Sequence, residues 1–273
     1  MHATLILHSN STKKYAEELA KEYADVEIIN INSLSDVRKW NILYERVIGI
    51  GGGKVIDIAK LIANPNSAIA IPTTAAGAAS TSHAVYWDKI TKKKISIPTR
   101  KPIVEIEPSF LSNLPKEVII ETFYDALGHA MDSYLSVKAT KESIRFSVTA
   151  YNILMKQRSL DFNNISELIE AGNIAGEAIE ITETNMSHAI SYPLTAVYGI
   201  SHGIAVGWSL YPCYIYQECP LDIPDFDISL GIEMNRDFFE TVAHEAMTYS
   251  KIHNARKNIT EERLIDLLET YKK

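Results

Sequence analysis

The chain has 273 residues, 46% of them apolar and 22% charged, the balance of a globular protein with room for one larger domain or two small ones. Lys and Arg number 27 against 34 Asp and Glu, and the formal net charge of −7 excludes a general nucleic-acid binder, because phosphate contacts need clustered cations. Two cysteines, Cys213 and Cys219, are too few for a disulfide framework and point to a reducing cytoplasm; no apolar run is long enough for a transmembrane helix, and the first eight residues do not read as a signal peptide.

The first hundred residues alternate strand and helix patterns. Thr4 to Leu7 reads as a buried parallel strand, followed by a helix over Thr12 to Tyr23 that Ser11 could cap. Val26 to Ile31 and Arg46 to Ile50 read as the next strands, then a helix over Val55 to Ala63 and a fourth strand from Ala68 to Ile71, ended by Pro72. This alternation predicts a parallel α/β layer. From Pro115 onward helical periodicity dominates, over Glu117 to Val137, Ser143 to Met155, Ile165 to Ile181 and Glu261 to Tyr271, with breaks at Asn163-Asn164, Pro193, Gly199 and the stretch from Pro212 to Pro224. The domains are therefore drawn as an α/β half over 1–108 and a helical half over 109–273.

Two loops carry small residues. Gly51-Gly52-Gly53-Lys54 joins a strand to a helix start, where glycines admit a phosphate to backbone amides and the helix N-terminus favours negative charge. A plain tight turn is the competing reading. Pro72-Thr73-Thr74 opens a second such loop, running to Ser82, suited to a ribose or phosphates or simply flexible.

Asp125 and His129 are four apart in a helical stretch, so they share a face with Cβ atoms about 6 Å apart and can grip one divalent cation. His188 and His202 follow on separate helices or helix ends that could converge on them, giving an oxygen and nitrogen set suited to Fe²⁺ or Zn²⁺. Read singly, Asp125 and His129 also fit a solvated pair, and His188 a hydrogen-bonded core residue.

Together these motifs resemble the iron-containing, or group III, alcohol dehydrogenase family. The matching pieces are Gly51 to Lys60, Pro72-Thr73-Thr74, Leu114-Pro115, Asp125 to Tyr134, and His188 through His202-Gly203, in the family's order over about residues 45 to 210. The resemblance implies an α/β N-terminal dinucleotide-binding domain and an all-α C-terminal domain, the dehydroquinate synthase-like architecture, with a metal in the cleft. It places Asp125, His129, His188 and His202 on the metal ligands, which act catalytically through the metal. It places Gly51, Gly52 and Gly53 on the pyrophosphate turn, with Lys54 at the helix start, Asp57 and Lys60 on the following helix, and Thr73 and Thr74 on the second nucleotide loop. The run from Ala171 to Ile179 into Ser187 to Thr195 is similar to members that reduce phosphonoacetaldehyde, which usually carry a basic residue where Glu183 stands; short semialdehydes are the other substrates implied. The chain is shorter than is usual for the family, lacks the glutamate that follows the Pro-Thr-Thr loop, and has Tyr192 where many members have a further histidine.

The activity this implies is reduction of a small aldehyde to its primary alcohol by NAD(P)H, with Tyr192 or His83 as proton-donor candidates and Lys138 and Arg145 as candidate partners for an acidic tail. Ser9 and Asn10, after the first strand, offer hydrogen bonds to the adenosine ribose, and Lys13 and Lys14 offer charge to a 2′-phosphate, so NADP(H) is favoured over NAD(H). A cytoplasmic homodimer with no nucleic-acid or membrane partner completes the expectation. Two other readings share the architecture: a sugar-phosphate cyclase-like lyase, which would need a Lys/Arg-rich substrate segment not found here, and a shortened nucleotide-binding homologue without turnover.

Overall fold

The computed structural model describes residues 3–33, 44–87, 94–107, 114–162 and 164–271. Strand β1 (Thr4–His8) is buried at every position and pairs in parallel with β2 (Val26–Asn30) on one side and β3 (Arg46–Gly51) on the other. β4 (Ile69–Pro72) extends the sheet beyond β3, and a two-residue strand β7 (Ile103–Val104) closes it, in the order β2-β1-β3-β4-β7. Between β4 and β7 in the chain, β5 (His83–Trp87) and β6 (Lys94–Pro98) form a separate antiparallel hairpin. Neither the hairpin nor β7 stands out in the sequence.

Alternation along the strands distributes the core. Leu5, Leu7 and Val47 face α2 (Gly53–Ala63) through Val55 and Ala59, whereas Ile6, Ile48 and Ile50 face α1 (Lys13–Ala20). Each such fully buried aliphatic side chain contributes about 1.5–3 kcal/mol. α1 is shorter than its periodicity predicts, because Lys21, Glu22 and Tyr23 pair three residues back and end it in a tight turn.

The remaining described elements are helical: α3 (Lys116–Tyr134), α4 (Lys141–Met155), α5 (Ile165–Thr182), α6 (Met186–Ala196), α7 (His202–Tyr216), α8 (Arg236–Met247) and α9 (Glu261–Thr270). The expected domain boundary at 108/109 and Asn163 of the expected break lie outside the described residues. Gly199 does separate two helices, in a left-handed conformation (φ 72°). Pro193 and Pro212 do not break the chain as expected; they lie inside α6 and α7. A proline removes one N–H from the ladder, and these two helices are so thoroughly buried that packing outweighs that loss. Among the described residues no helix is long and apolar enough to cross a membrane, and both cysteines are free.

The two layers meet backbone to backbone. A Cβ on Gly172 of α5 would lie 1.8 Å from the Ala75 carbonyl oxygen, and one on Gly176 would lie 2.4 Å from the Gly77 oxygen. Ser82 adds two hydrogen bonds to Glu180, at 2.9 and 2.5 Å.

Candidate metal centre and dinucleotide cleft

Three helices converge on one carboxylate oxygen. Asp125 and His129 lie one turn apart on α3, His188 in the first turn of α6, and His202 at the first position of α7. The close approach of α7 to α3 needs glycine: a Cβ on Gly203 would lie 2.0 Å from the Glu121 carbonyl oxygen, and one on Gly128 2.4 Å from Val206. Asp125 Oδ1 is then 3.6 Å from His129 Nε2, 3.3 Å from His188 Nε2 and 3.6 Å from His202 Nε2. Asp125, His129 and His188 form the compact part of the cluster, with one ligand atom from each within 4.8 Å of the others. His202 joins through Asp125 and is the more open member, its side chain 26% exposed against 0% for His188.

A second set of groups aims these rings. Asp132, fully buried and not among the sequence-derived candidates, faces His188 Nδ1 at 2.8 Å and accepts from the Asn185 amide and the Ser187 hydroxyl, each at 2.8 Å. Its signal is positional: it falls two helical turns beyond Asp125, on the same face. Ser191 donates to the His188 carbonyl oxygen at 2.8 Å, so toward His202 Nδ1 it can only accept. Both partnerships leave Nε2 as the atom presented to the cluster.

The electrostatics favour a cation. Burial alone would raise the Asp125 carboxyl, but His129, His188 and His202 together hold it well below the usual carboxylate range. Burial lowers His129 to about 4 and brings His202 well below the ordinary imidazole value. Burial would lower His188 too, but its bonds to Asp125 and Asp132 outweigh that and raise it to about 9. Burial thus disfavours the imidazolium form at His129 and His202 beside the Asp125 carboxylate. His202, whose Nδ1 donates to Ser191, turns an unprotonated Nε2 toward Asp125 Oδ1, a repulsion that a cation between them relieves. Donors around one divalent ion with bonds of about 2.1 Å sit roughly 3.4 Å apart when tetrahedral, and the three separations from Asp125 Oδ1 are of that size. The residues fit a metal ion.

The α/β cleft is made mainly of backbone. β2 lies on one side of β1 and β3 on the other, so the order in which strands are added reverses at the β1–β3 crevice, the usual place for a dinucleotide. Ser9 and Asn10 follow β1, Gly51, Gly52 and Gly53 follow β3, and Thr73 and Thr74 follow β4. Thr12 ties the first loop to the end of β3 by donating to the Ile50 oxygen at 2.8 Å, and the Thr73 amide donates to the Gly51 oxygen at 3.1 Å. Gly51 is required by packing, since a Cβ there would lie 2.5 Å from Val55 Cγ2; Gly53 has no such crowding, and no side chain caps the α2 N-terminus. Amides and the helix dipole are left facing the cleft, with Lys54 exposed beside them.

Asp57 and Lys60 are turned inward instead. Lys60, 1% exposed, donates to Asp57 at 3.1 Å, to the oxygens of Ala78 and His83 at 2.6 and 2.8 Å, and to Thr81 at 3.2 Å. The other Asp57 oxygen accepts from the Val85 amide at 3.1 Å. The pair pins the small-residue loop and the hairpin onto α2. Arg145, expected near an acidic tail, is exposed with its guanidinium over Phe146, and Lys138 is paired with Glu183.

The sequence matches two family descriptions in succession: iron-containing alcohol dehydrogenase over residues 3–108, and the C-terminal part of the Fe-containing alcohol dehydrogenase family over residues 119–216. It is 30% identical over 200 residues to a phosphonoacetaldehyde reductase of Streptomyces viridochromogenes, an alignment covering 60% of this chain and 51% of that protein. It is 28% identical over 209 residues to a 4-hydroxybutyrate dehydrogenase of Clostridium kluyveri, covering 66% of this chain and 56% of that one. The chain thus spans about half the length of the curated relatives it matches. Its fold superposes on an iron-containing alcohol dehydrogenase from Thermotoga maritima with a TM-score of 0.83 at 22% identity, covering 98% of this chain and 91% of that one. A sulfoacetaldehyde reductase from Bifidobacterium kashiwanohense, solved with NAD⁺, gives 0.79 at 18% identity, covering 99% and 91%. With both halves of the chain matched and the fold shared, the protein belongs to the iron-containing alcohol dehydrogenase family.

Proposed function

We propose that the protein is an Fe²⁺- and nicotinamide-dependent oxidoreductase that reduces a small aldehyde with an acidic tail, such as phosphonoacetaldehyde or a short semialdehyde, to the primary alcohol. The observation that carries this reading is the convergence of three imidazole Nε2 atoms on Asp125 Oδ1 at 3.3–3.6 Å. In it, residues 1–108 bind the nucleotide and residues 109–273 bind the metal. Asp125, His129, His188 and His202 would hold the ion, and the family's name favours iron over zinc. Gly51, Gly52, Gly53 and Lys54 would receive the pyrophosphate, Thr73 and Thr74 the nicotinamide side, and Ser9 and Asn10 the adenosine ribose.

When bound, the divalent ion supplies polarisation of the aldehyde oxygen and the reduced nicotinamide supplies the hydride. The chain's own contribution is orientation. Asp132 fixes His188, Ser191 fixes His202, and the apolar packing of α3, α6 and α7 excludes water from three sides of the cluster. Asp57 acts at one remove in this reading, through Lys60 on the loop that follows Thr73 and Thr74. NADP(H) is the favoured cofactor: β2 ends in Asn30 with no acidic residue at its close, and Lys14 has no carboxylate partner among the described residues.

The test is metal analysis of protein reconstituted under anaerobic conditions, together with NAD(P)H oxidation against a panel of short aldehydes. One iron per chain and turnover in the wild type, with both lost in Asp125→Ala, is the expected result. Aldehyde reduction by metal-free protein would overturn the reading.

A further inference from the structure

The open side of the cluster is flanked by Tyr192, which stacks on His202 with ring centroids 6.0 Å apart and planes 22° from parallel. Tyr192 feels the charge of two lysines, Lys94 and Lys251. Lys251 is already paired: Glu183 holds it at 2.5 Å, and the same carboxylate binds Lys138 and, at 3.4 Å, Asn254. Lys94 differs. It opens β6, its ammonium stands 4.5 Å from the centre of the Tyr192 ring, and no carboxylate among the described residues pairs with it. Its backbone meets the Tyr249 hydroxyl, and Tyr249 in turn packs edge-on against Tyr192, with centroids 4.8 Å apart. The hairpin is thereby seated over the helical layer. Tyr192 thus stands in contact with both Lys94 and His202, and the hairpin that carries Lys94 is tied to α2 through the His83 oxygen on Lys60 and the Val85 amide on Asp57.

We propose that Lys94 is the specificity-determining residue that selects an anionic tail on the aldehyde, an inference that rests on the reductase reading above. The Lys94 ammonium and His202 both border the Tyr192 ring, so an aldehyde whose oxygen reaches the cluster beside His202 has Lys94 as the near cation for its far end. A cation held against an aromatic face still has N–H donors to offer, and an oxyanion is the partner that satisfies them with charge-assisted bonds. The shared chemistry is a compact oxyanion, whether phosphonate, sulfonate or carboxylate. Lys138 and Arg145, the cations that the sequence suggested for this role, are respectively bound to Glu183 and turned to the outer surface.

The experiment compares iron-loaded wild type, Lys94→Met and Lys94→Arg. Values of kcat and KM are measured for phosphonoacetaldehyde, sulfoacetaldehyde, succinic semialdehyde and neutral butanal, and ethylphosphonate binding is followed by calorimetry. In Lys94→Met the charged-to-neutral ratio of kcat/KM should fall about 30-fold, about 2 kcal/mol, chiefly through KM, with a matching loss of ethylphosphonate affinity. Lys94→Arg should keep most of the ratio, and comparison among the three charged aldehydes identifies the oxyanion. An unchanged ratio, or a loss confined to the KM of the nicotinamide cofactor, would overturn the assignment while leaving the reductase reading intact. A wild type that reduces no aldehyde but binds ethylphosphonate through Lys94 would sink the reductase reading and keep the anion site. No binding and no turnover would sink both.

Discussion

In the helical layer the site is made of side chains, two of them aimed by a second buried side chain; in the α/β layer it is made largely of backbone, exposed by the absence of side chains. His188 points where Asp132 sends it, and His202 where Ser191 does. The cleft around Gly51, Gly52 and Gly53 has no comparable scaffold, and its order comes from strand ends and from the Lys60 anchor behind the loop. The difference teaches where each half is fragile. The cluster depends on buried polar partners as well as on the glycine contacts between α3 and α7, and the cleft depends chiefly on the room that a Cβ would take.

Asp132→Ala should have the largest effect. It leaves the His188 imidazole, the Asn185 amide and the Ser187 hydroxyl without their acceptor in a fully buried site. Removing one member of a buried charged network costs about 3–5 kcal/mol. Denaturant unfolding should register that loss, and iron affinity should fall about 10–100-fold. Retention of nicotinamide nucleotide binding by whatever fraction stays folded would support the contrast between the layers. A stability loss below about 1 kcal/mol would show that water replaces the carboxylate.

Gly172→Ala probes the other material. Its new Cβ would meet the Ala75 carbonyl at 1.8 Å, and a backbone oxygen cannot rotate away. Overpacking of this kind costs about 1–3 kcal/mol. The accompanying shift of the 73–82 loop should raise the KM for the nicotinamide cofactor while iron content is unchanged. Gly199→Ala is the control, since nothing lies within 4 Å of a Cβ there, although its φ of 72° still disfavours alanine by about 1 kcal/mol. Equal effects of the two substitutions on KM would break the comparison.

What the sequence shows of this molecule follows the same division. Asp125 and His129 share a face because four-residue spacing requires it in any helix, and the strongly periodic α3 and α5 lie close to their expected limits. The glycine turn is visible because consecutive glycines leave few other conformational readings. Asp132 is harder to find, because its place on the Asp125 face acquires a meaning only once its partner on α6 is known. Lys60 is named by the resemblance, but its anchoring role is hidden for the same reason, since its four acceptors come from Asp57 and a loop some twenty residues on. The hairpin carries no tight-turn signal in its Lys-rich connection, so Lys94 could not be placed against Tyr192 before the fold was known. Pro193 and Pro212 mislead because their local penalty is outweighed by burial that arises from the tertiary structure.

The junction between α5 and α6 gives a smaller and pH-dependent effect. Glu183 has φ 61° and ψ 174°, a region that glycine favours, and its carboxylate holds Lys138, Lys251 and Asn254. Burial raises its pKa, but the two lysines outweigh that and bring it down from 4.5 to about 2. A lowered folded-state value means stability that is present above about pH 4.5 and lost as the pH falls toward 2. The side chain is 43% exposed, so solvent screening reduces the contribution to roughly 1 kcal/mol. Glu183→Gln should therefore be less stable than wild type at pH 7 and equal to it near pH 2, by urea midpoints. A constant difference across that range would show that backbone strain or packing, not the charge, decides its effect.

The smallest expected effect is at the edge of the nucleotide cleft. Lys13 lies 3.6 Å from Glu17 on the exposed face of α1, so part of its charge is already answered, whereas Lys14 has no carboxylate partner among the described residues. Ser9 is also occupied in part, holding Ser11 and Thr12 in a capping arrangement at 2.8 and 3.1 Å. Exposed cations act on a phosphate through screened water, where a single pair is worth about 0.2–1 kcal/mol. Lys13→Ala/Lys14→Ala should lower the NADPH-to-NADH ratio of kcat/KM by about 3–10-fold at low salt and by less at high salt, with kcat for either cofactor unchanged. Lys14→Ala alone should account for most of that change, because Glu17 shields Lys13. An unchanged ratio in the double variant would move the discrimination away from this loop, and a wild type that prefers NADH would remove the basis for favouring NADP(H).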